Sequence, residues 1–525
     1  MNRTTVALLL IVLVSTIFWT VVRSAQAEDG AFFKVKGDKV YDPQGRQVLL
    51  HGVNIVDKSP TMQHWQNGEY FAAMADSGVN CIRLGFTWAA LEPEPGKYSQ
   101  AALEEIDHRI ALARKNGIYV FLDMHQDLYS SLYADGAPSW ATLTEGKPHV
   151  QPPGVWSNAY FGSPAIQTAF DNFWANTPGP DGVGIQDRFA MLWKLLAERY
   201  KEETTVIGYD LLNEPFSGSS APETQMVMMG KWAEMIAQKH GGQVMSVPEV
   251  QEVWSDTSKR HKFIGMTDID MYTQSIDSVA SRCQEFERTQ LTPMYQRVSD
   301  AIRSVDRNHI LFLGTYYMSN LGIPSGIEPL KGPDGERDPL LIYAPHGYDI
   351  GTDPSEQDVY SPERVNFIFS RHGKTQQRLG MPMVVGEWGG ILLRTPGMEQ
   401  ARQILVRKFE ELLCGDMYWL FARDYHAEML DVIHRPIPMA VSGELLHYQS
   451  DPWNLAFSCA WKQDPNITAA TRIYLPEAYI AEGKKIVLEP AGQGYGVEPI
   501  REGSKNVCVV IPSVKEAIAR ELIVK

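Results

Sequence analysis

The sequence predicts an α/β fold, a (β/α)8 TIM barrel followed by a small C-terminal antiparallel β-sandwich. Three observations predict it. Apolar strand-like runs begin at Val48, Val79, Ile118, Val206, Ile310, Leu340, Met383 and Met417, with helical patterns between most of them. Eight such alternations build a parallel sheet that closes on itself. The polar residues that punctuate these runs lie at their C-terminal ends, where barrels of this kind gather their sites. From about Arg435 the texture changes: Trp453 to Trp461, Thr471 to Leu475, Lys485 to Leu488 and Val507 to Ile511 are short runs separated by Pro, Gly, Asn and Asp. That is the pattern of a sandwich. The expected division is a signal peptide at 1–27, a catalytic barrel at 28–434 and a β-sandwich at 435–525; the 525 residues, 44% hydrophobic and 21% charged, suffice for it.

In chain order, Arg3, the apolar run Val6 to Val22 and Ala25-Gln26-Ala27 read as a cleavable secretory signal, so the protein is expected to be secreted. An uncleaved anchor is the alternative, because about 17 apolar residues is the lower edge of spanning length. Phe32 to Val40 and the turn Asp42-Pro43-Gln44-Gly45 predict a hairpin capping the barrel's base. The first core strand, Val48 to Val56, leads to Asp57 and Lys58. The second, Val79 to Phe86, carries Arg83 in an otherwise apolar run, and a buried arginine must face a carboxylate. The helix Ala101 to Asn116 places Leu103, Ile106, Ile110 and Ala113 on one face, and Gly117 follows it as a C-cap.

Ile118 to Met124 delivers His125-Gln126-Asp127, and the stretch after it, through Trp140, Trp156, Phe170 and Trp174, reads as a long aromatic loop rather than helix. Val206 to Leu212 delivers Asn213-Glu214-Pro215. The long connection Phe216 to Leu291 contains Met226, Met228, Met229, Met235 and Met245, and fits either an extra helical layer or an adaptable apolar lip. Leu340 to His346, with Tyr348 beyond, then Met383 to Gly390 with Gly386-Glu387-Trp388-Gly389, and last Met417 to Phe421 with Trp419, complete the barrel.

Arg83, His125, Asp127, Asn213, Glu214, His346, Tyr348, Glu387 and Trp419 therefore share one rim. Two carboxylates with an aromatic platform fit glycoside hydrolysis, in which one carboxyl protonates the leaving oxygen and the other attacks the anomeric carbon. Glu214 reads as the acid/base. Glu387 reads as the nucleophile, kept ionised by Arg83 and a Tyr348 hydroxyl, and its negative charge is expected to raise the pKa of Glu214. Trp419 would stack on the sugar.

These residues carry a resemblance. Asn213-Glu214-Pro215 and Gly386-Glu387-Trp388-Gly389, with Arg83, His346 and Tyr348, resemble glycoside hydrolase family 5, a clan of retaining barrels. Asp57-Lys58, His125-Gln126-Asp127, Gln290-Leu291-Thr292-Pro293, and Arg435-Pro436 leading through Gly443-Glu444 resemble the endoglycoceramidases within it. The resemblance implies release of intact oligosaccharide from the ceramide of a glycosphingolipid, with Asn213 on the hydroxyl beside the anomeric carbon. It also implies that Lys58, His125, Asp127 and Trp419 hold the reducing-end glucose. The connection Phe216 to Leu291 looks longer than the family's.

The alternatives are a β-glucanase of the same clan and a binding barrel without catalysis. A net charge of −15 argues against nucleic acid. No cofactor is expected, and the five cysteines show no metal-ligand spacing. Cys459 and Cys508 are candidates for a disulfide. A monomer is expected, with peripheral contact to a membrane or micelle surface where the substrate resides.

Overall fold

The computed structural model describes residues 31–63, 68–352, 359–389, 396–420 and 433–525. The signal sequence expected at 1–27 lies outside them.

Parallel strands Leu341–Tyr343, Ile310–Leu313, Val206–Asp210, Tyr119–His125, Cys81–Thr87, His51–Val56, Gly415–Trp419, Val384–Gly389 and His346–Gly347 pair in that order. The first and last are halves of one barrel strand. Pro345, between them, has no N–H for the ladder; Tyr343 bridges Met383 in parallel, which closes the ring. The eight expected staves are present, several of them shorter than the apolar runs suggested: the run from Ile310 stops being strand at Leu313. Adjacent strands approach closely at Gly52, where an added Cβ would sit 1.7 Å from the Cys81 carbonyl oxygen.

The base of the barrel is packed with side chains. Phe121 stacks on Phe312 with ring centroids 4.2 Å apart, among Leu50, Ile207, Ile342 and Met417, and Phe33 and Val40 of the N-terminal hairpin join that cluster from outside the barrel sheet. The hairpin thus caps the base as expected. It also does something more: Lys34–Lys36, Lys39–Tyr41 and Gln47–Val48 continue into a seven-stranded sheet with Ile437–Val441, Thr471–Leu475, Val507–Ile511 and Gly496–Pro499. Residues from both sides of the barrel therefore build the second domain.

Its other sheet is Gly443–Asp451, Ala456–Gln463, Ala519–Val524 and Ile486–Glu489. Trp461, Phe457, Cys459 and Leu522 meet Ile473, Val509 and Ile511 between the two sheets. All five cysteines are buried free thiols, so the candidate pair Cys459 and Cys508 is not a disulfide. Strand alternation explains it: Val507, Val509 and Ile511 point into the sandwich core with Cys459, which turns Cys508 to the other face. Trp461 is fully buried, with the Arg520 guanidinium 5.3 Å from its ring. Trp461→Ala is expected to cost about 3 to 5 kcal/mol, read as a lower urea midpoint for the sandwich.

One stretch differs from the sequence reading, and for another the structure takes the first of the two alternatives, the helical layer. The aromatic stretch is partly helical, with helices Asn158–Gly162 and Pro164–Trp174. Proline at the first position and buried Ala165, Ile166, Ala169, Phe170 and Phe173 are ordinary helix signals, masked by the aromatic content. The long connection is chiefly a helical layer, from Ala221–His240 through Ala280–Phe286, with Met229 and Trp232 in its core.

Candidate active site

Arg83 is fully buried on Cys81–Thr87, and every N–H of its fork is used. Nε donates to Asp210 Oδ2 at 2.7 Å; Nη1 donates to Glu387 Oε1 at 2.8 Å and Asn54 Oδ1 at 3.1 Å; Nη2 donates to Asp123 Oδ1 at 2.7 Å and Asn213 Oδ1 at 3.0 Å. One side chain thus joins five strands and aims Glu387. The Tyr348 hydroxyl donates to the other Glu387 oxygen at 2.9 Å.

Glu214 follows Val206–Asp210 in a backbone conformation with φ +41°, a left-handed geometry that is costly for a non-glycine residue and persists only when its surroundings enforce it. Gln126 enforces it. Its Nε2 donates to the carbonyls of Asn213 and Glu214, both at 2.9 Å, and Asn213 Nδ2 donates back to the Gln126 carbonyl at 3.0 Å. Glu214 Oε1 accepts from Asn320 Nδ2 at 2.6 Å and lies 2.9 Å from His346 Nδ1. His346 Nδ1 is also 3.5 Å from Glu387 Oε2. One oxygen of Glu214 and one of Glu387 lie within 4.8 Å of each other.

A third group sits beside them. Lys58 donates to Asp127 and lies 3.5 Å from Asp135, with its ammonium 5.2 Å from the Trp419 ring centroid. Trp419 stacks on His125 at 5.4 Å, and His125 Nδ1 is 2.9 Å from Asp123 Oδ2. His125, Asp127 and Asp135 have donor atoms mutually within 4.8 Å, a spacing that would suit a metal, but the Lys58 ammonium already supplies the cation there.

All of this opens into one cavity of about 870 Å³. Its wall near Glu214 is apolar: Tyr317, Met318 and Leu321 share a single turn with Asn320, and Phe161, Met228 and Trp254 line the same space.

The family follows from comparison of the whole chain. Residues 41–424 match the model for cellulase (glycosyl hydrolase family 5), and residues 435–517 match the glycoside hydrolase family 5 C-terminal domain. The chain belongs to glycoside hydrolase family 5. Endoglycoceramidase I of Rhodococcus hoagii is 24% identical over 475 residues, covering 86% of this chain and 81% of that one. An endoglycoceramidase of Cyanea nozakii is 31% identical over 222 residues, which are 37% of this chain and only 43% of that protein. Among solved structures, endo-glycoceramidase II from Rhodococcus sp. in complex with ganglioside GM3 aligns with a TM-score of 0.68 at 25% identity, over 93% of this chain and 99% of that one.

In this family 5 hydrolase, burial pushes the Glu214 carboxyl up to about 7, and the nearby Asp127 charge adds to it, while the Asn320 hydrogen bond opposes. Burial leads and Asp127 follows; the repulsion between the two glutamates that sequence reasoning invoked falls on Glu387, whose carboxyl Glu214 raises. Burial also raises Glu387, with the Arg83 charge pulling it back. Burial holds His346 down to about 4, so its imidazole is neutral between the two carboxyls. Burial opposes a charge on His125 too, but Asp123 outweighs it and raises His125 to about 10, leaving a cation stacked on Trp419.

A pH prediction follows for Asn320→Ala. With Glu214 in the expected role of general acid, which works while protonated, activity should fall as pH rises through its pKa. Removing a donor that favours the ionised form raises that pKa. The alkaline limb of kcat/KM should move to higher pH, with a fall of about tenfold to a hundredfold at its maximum, measured on a soluble aryl glycoside.

All ten residues nominated from sequence line this cavity or touch its glutamates. Sequence reasoning passed over Asp123, Asp210, Asp135 and Asn320. Asp123 and Asp210 were legible: each is a lone carboxylate in an otherwise apolar strand, the same signal that singled out Arg83. Asp135 lies in an irregular segment and Asn320 in a single short helical turn, neither long enough to show a period.

Proposed function

We propose that this protein is a secreted, retaining endoglycosylceramidase that cleaves the β-glycosidic bond between oligosaccharide and ceramide. The observation that carries the reading is the pairing of two close carboxylates with a cavity of split character. Carboxyls about 5 to 5.5 Å apart suit a covalent glycosyl-enzyme, whereas inverting enzymes separate them by about 6.5 to 9.5 Å; an oxygen separation within 4.8 Å favours the first. Glu387 attacks the anomeric carbon as Glu214 gives its proton to the departing ceramide oxygen. Water then attacks the same carbon, Glu214 takes its proton, and the bond to Glu387 breaks.

The aglycone must leave past the proton donor, and the surface beside Glu214 is apolar. The Tyr272 hydroxyl donates to the Leu321 carbonyl at 2.8 Å, which ties the long connection, with its Met228 and Trp254, to that turn. Two alkyl chains suit such a wall. The sugar belongs against Lys58, Asp127, His125 and Trp419, where charge and an aromatic face meet. The relatives named endoglycoceramidase support the reading, as does the ganglioside complex of one of them. Export rests on the N-terminal signal, and a secreted protein whose first residue lies near Glu28 would bear it out.

The test is a panel of glycosphingolipids beside cellulose and mixed-linkage glucan, with products identified by mass spectrometry. Intact oligosaccharide plus free ceramide is expected. Cleavage of glucans alone would make the protein a polysaccharide hydrolase and the apolar wall a packing feature.

A further inference from the structure

A second cavity, of about 710 Å³, lies at the seam between the barrel helix Pro396–Leu412 and the sandwich. It has no part in the chemistry above. Its lining reverses the charge of the chain: five Lys or Arg side chains face it against two carboxylates, in a protein with 48 basic and 63 acidic residues. Both carboxylates are already paired, Asp76 with Arg501 at 3.3 Å and Glu477 with Lys505 at 3.4 Å. Arg407 is exposed and makes no ion pair among the described residues. Arg435, only 6% exposed, gives one nitrogen to Asp416 at 2.6 Å, while its Nε and Nη1 meet no acceptor among the described residues. Leaving guanidinium N–H groups buried and unpaired is costly.

At the edge of this cavity stands Trp453, 71% exposed. It is presented rigidly: Asp451 Oδ1 accepts from the backbone N–H of Trp453 at 3.0 Å and of Asn454 at 3.1 Å, which fixes the hairpin turn. An indole face held in water beside guanidinium donors is complementary to a sugar ring that carries an acid group, since the ring's apolar face stacks and the carboxylate takes the N–H groups. A bilayer would require a convex apolar patch. Trp453 instead borders a concavity, and its turn carries no second exposed large apolar side chain.

We propose that this seam is a binding site for an acidic oligosaccharide, distinct from the catalytic cavity, with Trp453 as the platform, Arg407 as the anion receptor and Arg435 adding its charge behind it. The test titrates the full-length protein with sialyllactose and with lactose, which differ by one carboxylate-bearing ring, using wild type, Trp453→Ala and Arg407→Ala. Both substituted side chains are exposed and outside the catalytic cavity, so hydrolysis of a soluble aryl lactoside should be unchanged. Two binding events are expected for sialyllactose on wild type and one for lactose. Each variant should weaken the second sialyllactose event at least tenfold. Sialyllactose binding that is identical in all three proteins would overturn the proposal. Inorganic phosphate bound there as tightly as sialyllactose would also overturn it, because the site would then read a bare anion. So would loss, in the variants, of binding to phosphatidylserine vesicles with the sialyllactose events intact.

Discussion

Glu387→Gln is expected to lower kcat on a glycosphingolipid by at least about 10⁴-fold while leaving substrate affinity within a few-fold of wild type. The amide keeps the shape and an acceptor for Arg83 Nη1 and Tyr348 but cannot form the glycosyl ester. Azide added to Glu387→Gly should restore product formation, because a small anion can occupy the emptied space and attack the anomeric carbon from the same side. The glycosyl azide would then have the configuration opposite to the normal product. Steady-state kinetics with product analysis reads both effects; turnover of Glu387→Gln at the wild-type rate would remove Glu387 from the chemistry.

Arg83→Ala should be nearly as damaging, by a different route. Arg83 is the cation for Asp123, Asp210 and Glu387 together, all buried. Breaking a buried ion pair from one side costs about 3 to 5 kcal/mol, so a large loss in the urea midpoint is expected along with the loss of activity. Arg83→Lys separates the two. A lysine keeps the charge but cannot reproduce five hydrogen bonds in a plane. As the proposed nucleophile Glu387 must be ionised to attack, so activity should appear as pH rises through its pKa; weakening the cation beside it raises that pKa. The acidic limb of kcat/KM should therefore move to higher pH in Arg83→Lys, opposite in limb to the change expected for Asn320→Ala.

Much of this molecule was legible because its barrel strands are unmixed apolar runs with chemistry at one end. Arg83, Glu214 and Glu387 stood out against such runs, and the structure brings them together. Less was legible where tertiary context decides. Val48 looks like the start of the first barrel strand, but with Gln47 it pairs with Ile437–Val441 in the other sheet; no local pattern distinguishes the two. Cys459 and Cys508 share a domain and a strand-rich texture, and only the facing of each strand keeps them apart. The pKa of Glu214 could not be assigned to its causes from sequence, since burial and the position of Asp127 are three-dimensional quantities. Asn320 reaches Glu214 from a turn with no periodicity to read.

The most direct measurement of the central claim is the first sugar released from lactosylceramide, followed by proton NMR before mutarotation. The account predicts β-lactose, whole and with its configuration retained, appearing together with ceramide. α-Lactose as the first product would contradict the double displacement by Glu387, and galactose released ahead of lactose would contradict cleavage at the ceramide bond.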